Sequence, residues 1–150
     1  MKRNLAIAFL LALLPWSALA TGRADDGAAC QGMFAAIEKA GAAVTRKQVD
    51  EFLALIDSRC LAGAESHEWA NELLFSVLLA RPQEFIAAFS RTPSAAQGKI
   101  IRELESPVHD GIDLRAVFRS TSSARGDRRA RQRILDALDA AAQKTGFRLE

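Results

Sequence analysis

The sequence predicts an all-α domain of about six to seven helices, because from Cys30 onward apolar residues recur at spacings of three and four. Few stretches alternate as a half-buried strand would. Capping residues and prolines also punctuate the chain at intervals suited to short helices. This pattern fits antiparallel helix pairs, stacked either as a short HEAT-like α-solenoid or as a compact bundle.

Residues 1–20 read as a separate unit. Lys2 and Arg3 precede an apolar run from Leu5 to Leu14, Pro15 breaks it, and Ala18-Leu19-Ala20 offers small residues at a cleavage site. Those are the three parts of a secretory signal peptide, with the exported chain expected to start at Thr21. A membrane anchor needs about 20 apolar residues, and this run is shorter. Cys30 lies beyond Arg23, Asp25 and Asp26, too far from the apolar run to be an acylated cysteine. Residues 21–150 are then one helical domain, large enough for a single core, with a periplasmic or secreted location.

The helices follow in order. Met33, Phe34, Ile37 and Val44 mark the first, opened by Cys30 and loosened by Gly41. Thr45 with Gln48 is a capping-box pattern ahead of the second, whose inner face is Val49, Phe52, Leu53 and Ile56. The chain turns between Cys60 and Gly63. Ser66 is the expected cap of a third helix carrying Trp69, Leu73, Leu74, Val77 and Leu78. Pro82 suits the first turn of a fourth, with Phe85, Ile86 and Phe89. Thr92-Pro93 repeats that device before Ile100, Ile101 and Leu104, and Ser106-Pro107 ends the fifth. A short sixth segment holds Ile112, Val117 and Phe118, a loop is expected from Ser120 to Gly126, and the last helix runs from about Asp127 to Lys144 with Gly146 as its cap. A faint repeat relates Asp50–Arg59 to Gln83–Arg91 at a period of 33 residues, which matches a helix-pair repeat.

Charge excludes one class of partner. Without Lys2 and Arg3 the 20 basic residues fall level with the 18 acidic ones, so nucleic-acid binding is not expected. The two cysteines, Cys30 and Cys60, read as a disulfide in an exported protein. They fall at ends that an antiparallel helix hairpin brings together, and they lack the C-x-x-C spacing of redox sites.

Catalytic motifs are absent. His67-Glu68-Trp69-Ala70-Asn71 looks like the zinc-peptidase pattern H-E-x-x-H, but Asn71 stands where the second histidine ligand is needed. His109-Asp110 has no adjoining nucleophile and reads as a turn. Ser120–Ser123 lack the sharp strand-to-helix turn of a nucleophile elbow. No metal site or cofactor is expected.

The charged feature that runs against its own helix is Arg125, Arg128, Arg129, Arg131 and Arg133. It falls at the positive end of the last helix dipole, with only Asp127 to offset it. Such a local conflict is where a functional surface is expected. Alternatively these side chains cover apolar surface and pair with Glu65, Glu68 and Glu72. The leading expectation is an exported, non-enzymatic interaction protein (inhibitor, adaptor or immunity-like) that binds an acidic protein surface through Arg125, Arg128, Arg129 and Arg133. The alternative is a small enzyme or ligand-binding protein with a polar site assembled from His67, His109, Glu68 and Glu72.

Overall fold

A computed structural model describes residues 23–56, 63–146 and 148–149. The expected signal peptide, residues 1–20, and Cys60 lie outside the described residues. Within these bounds the chain forms seven α-helices: α1 Arg23–Ala40, α2 Arg46–Ile56, α3 Ala64–Ala80, α4 Pro82–Arg91, α5 Ser94–Leu104, α6 Leu114–Ser123 and α7 Arg128–Lys144. A 3-10 turn, Gly41–Ala43, follows α1. There is no strand among the described residues.

The arrangement is a compact helical bundle and not a solenoid. In a solenoid each repeat touches only its neighbours, whereas here α2 packs on α4 and α5, α3 on α1 and α6, and α7 on α4, α5 and α6. The two halves of the faint repeat, α2 and α4, pack directly against each other, and Arg91 of the second reaches Asp50 of the first. Their likeness is that of two amphipathic helices sharing one interface.

α3 is the central helix. Ala70, Asn71, Leu73, Leu74, Phe75, Val77 and Leu78 are all buried, so it is covered on most sides, as a helix apolar nearly all round must be. Periodicity alone assigns it a narrower stripe and omits Phe75 and Asn71. Phe34 of α1 meets Phe52 of α2 and Trp69 of α3 edge-on, at ring-centre distances of 6.1 Å and 5.5 Å. That aromatic trio docks α1 onto the rest, in the edge-to-face geometry aromatic quadrupoles favour.

Local chemistry explains most helix boundaries. At α2 the capping box forms in full: Gln48 N–H donates to Thr45 Oγ1 at 3.3 Å, and Thr45 N–H donates to Gln48 Oε1 at 2.9 Å. Pro82 occupies the first turn of α4 and excludes Arg81 from the helical region, so α3 and α4 meet at a bend of 116°. At that joint Arg81 donates to Glu84, and this hydrogen bond holds the Glu84 carboxyl below its ordinary range. No single helix among the described residues is long and apolar enough to cross a membrane.

Four boundaries differ from expectation. α1 starts at Arg23, so Cys30 lies inside it, and Val44 falls beyond the 3-10 turn while remaining buried. The cap of α3 is Gly63, which leaves Ser66 within the first turn. Pro93 caps α5 from outside instead of entering it, its carbonyl accepting Gln97 N–H at 2.9 Å. Ser120–Ser123 continue α6 because each hydroxyl finds a main-chain carbonyl, for example Thr121 Oγ1 to Val117 O at 2.8 Å. Thr121 and Ser123 bond back four residues and Ser122 three, while Ser120 reaches the Leu79 carbonyl of α3, so these hydroxyls are satisfied without leaving the helix. The loop shrinks to residues 124–127, where Gly126 adopts φ +148° and a Cβ would stand 3.0 Å from Ile86. Only glycine fits both the conformation and the close approach.

Candidate functional site

Two polar constellations stand out, one at the end of α5 and one at the start of α7. The first explains the H-E-x-x-N string. Asn71 is 1% exposed, and its amide nitrogen donates to Glu103 Oε2 at 2.9 Å and to the Glu103 carbonyl at 3.1 Å. The Ser106 carbonyl is a third, longer contact at 3.4 Å, and Asn71 Oδ1 accepts Val108 N–H at 3.2 Å. His67 Nε2 lies 3.0 Å from Glu103 Oε1. Lys144 from α7 donates to the Glu105 carbonyl at 2.8 Å. The last carbonyls of a helix have no internal partner, and here α3 and α7 supply them. The position requires a donor and an acceptor on one short side chain, which asparagine provides.

His109 belongs to a separate pair. Its Nε2 lies 2.9 Å from Glu72 Oε1, and its Nδ1 accepts Gly111 N–H at 2.9 Å. An acceptor at Nδ1 fixes the neutral ring as the Nε2–H form, which donates to Glu72. So His67 and His109 are engaged by different carboxylates, and Glu68 is exposed. Among the described residues no group of three or more histidine, cysteine, aspartate or glutamate side chains is arranged to hold a metal ion.

The second constellation is the arginine cluster, and the structure divides it. Arg125 lies in the loop before α7, not on the helix as expected. Arg125, Arg128 and Arg129 are exposed and make no salt bridge among the described residues. Arg131 turns inward to donate to the Ala124 carbonyl at 2.6 Å. Arg133, expected on the partner-binding surface with Arg125, Arg128 and Arg129, is half-buried instead: it donates to Gln97 Oε1, and its guanidinium carbon lies 5.3 Å from the centre of the Phe89 ring. The alternative, pairing with Glu65, Glu68 and Glu72, is not found among the described residues, where α7 packs on α4, α5 and α6 while those glutamates sit on α3.

Asp127 is the N-cap of α7, accepting Ala130 N–H at 2.6 Å. Beside it a cleft of about 380 Å³ opens where α4, α5 and α7 meet, lined by Phe89, Ser94, Gln97, Asp127, Arg129 and Arg133 among others. Gln97 was the residue that sequence reasoning missed. It falls between apolar positions without a periodic signal, and only packing of α5 on α7 brings it to Arg133.

No protein-family model matches the chain, and neither does any curated protein or solved structure.

Proposed function

We propose that the protein is exported and acts as a non-enzymatic interaction protein, of an inhibitor, adaptor or immunity-like kind, binding an acidic surface of another protein. The observation that carries this reading is the group Arg125, Arg128 and Arg129: exposed, adjacent and without a carboxylate partner among the described residues. Positive charge at a helix N-terminus opposes the macrodipole by about 0.3–1 kcal/mol per group. A cluster that weakens its own helix has its use outside the fold. The test is capture of partners by the exported form from its native periplasm at low salt. A specific partner with an acidic surface, released as salt rises, is expected. Retention that salt does not affect would contradict an electrostatic interface.

Export carries a second consequence. Cys30 is buried on α1, and its proposed partner Cys60 follows α2. A Cys30–Cys60 disulfide would stabilise the fold by roughly 3 to 4 kcal/mol through chain entropy. Exported material should begin at Thr21 and release no titratable thiol when denatured without reductant. A start at Met1, or two free thiols, contradicts export with pairing.

A further inference from the structure

We infer that the cleft between α4, α5 and α7 is a receptor for carboxylate side chains of an acidic segment of the partner, with Arg133 as its fixed donor and Arg129 as its mobile one. This deepens, and rests on, the proposed binding role of the arginine helix. Gln97 sets the geometry of the cleft wall. Its Nε2 donates to the Phe89 carbonyl at 3.0 Å and to the Thr92 carbonyl at 2.9 Å. Both amide protons are thereby used, which leaves Oε1 with one orientation, toward Arg133. The guanidinium is held from below by the Phe89 ring, in cation–π contact. It is therefore positioned by a neutral amide and an aromatic face, and one hydrogen bond of this kind leaves most of its five N–H donors unused.

Arg129 lies one turn earlier on α7, lines the same cleft and is exposed. The lining contains one carboxylate, Asp127, and it is turned to its own helix as the cap of Ala130 N–H. No salt bridge joins it to Arg129 or Arg133. A half-buried guanidinium is ordinarily matched by a carboxylate, often with two parallel hydrogen bonds. Here no carboxylate among the described residues pairs with Arg133, while the cleft beside the guanidinium is open. Ser94, exposed at the first turn of α5, supplies a further hydroxyl at the rim.

The experiment titrates the purified protein with a hexaglutamate peptide at low salt, followed by calorimetry, with inorganic phosphate as a competing probe. Arg133→Lys keeps the charge and loses the fork, so it should weaken peptide binding by about tenfold, the scale of one charge-assisted hydrogen bond. Ser94→Glu should do the same by placing the protein's own carboxylate in the cleft. Its melting temperature should hold or rise, because acidic groups suit a helix N-terminus. Arg128→Gln removes an exposed charge outside the lining and should weaken binding by no more than about threefold, as a solvated ion pair does. If Arg128→Gln costs as much as Arg133→Lys, and Ser94→Glu costs nothing, the cleft is not the receptor and a diffuse arginine surface alone carries the proposed function. Peptide that fails to bind the wild-type protein would overturn both. Phosphate that binds more tightly than the peptide would overturn the acidic segment as the occupant.

Discussion

Asn71→Leu should lower the unfolding free energy by about 2 kcal/mol or more, since a buried polar group left without its partner costs roughly 1 to 3 kcal/mol and two are orphaned together. Leucine has nearly the same shape, so the loss is one of hydrogen bonding and not of volume. What it strands is Glu103 Oε2 and Val108 N–H, whereas the Glu103 carbonyl keeps the Ser106 N–H at 3.1 Å. His67 remains beside the other Glu103 oxygen, but among the described residues no second donor reaches Oε2. Asn71→Asp discriminates further. Its carboxylate would face that of Glu103, and two like charges sharing a site raise a carboxylate pKa above its unfolded value of about 4. The folded state then binds the proton more tightly than the unfolded chain does. Stability of this variant is therefore greatest below the unfolded pKa and is lost as pH rises through the folded one. Denaturant midpoints measured from acid to neutral pH check both variants. Unfolding free energies within about 0.5 kcal/mol of wild type, the range of ordinary surface changes, would show that α3 does not hold α5 through this residue.

The same residue marks the boundary of what the sequence makes legible. Helix positions were readable because each interior face has a local period and each start has local chemistry: Thr45 with Gln48, Pro82, Asp127. The expected core residues Phe52, Leu74, Phe85 and Ile100 are buried for that reason. Asn71 was readable only as a missing zinc ligand, because its partners Glu103, Ser106 and Val108 are more than thirty residues away. Whether the helices stack or bundle was likewise undecidable, since it depends on contacts such as α3 with α6 that no local period encodes. In the arginine cluster, spacing located the charges but misplaced Arg133, whose environment is set by Gln97 and Phe89 on two other helices. The serine-rich stretch misled for the opposite reason: composition suggests a loop, but hydroxyls that bond to the preceding turn remain in the helix.

The largest functional effect is expected from reversing the charges that the fold leaves unpaired. Arg125→Glu with Arg129→Glu changes two exposed side chains that make no salt bridge among the described residues. Exposed ion pairs contribute only about 0 to 1 kcal/mol even where they exist. Removing positive charge from the start of α7 also relieves an unfavourable interaction with its dipole. Stability should therefore stay level or rise slightly. Association should suffer, because attraction between complementary surfaces speeds encounter and like charges oppose it. Rates of one to three decades are within reach of interface charges in a single complex. The decisive measurement is the association rate of wild-type and doubly reversed protein with the partner recovered from the periplasm, across a salt series, alongside the two melting temperatures. An association at least about tenfold slower at low salt, converging with wild type as salt rises, is expected at an unchanged or higher melting temperature. A lower melting temperature with the association rate intact would instead make these arginines part of the fold and leave the proposed interface without its residues.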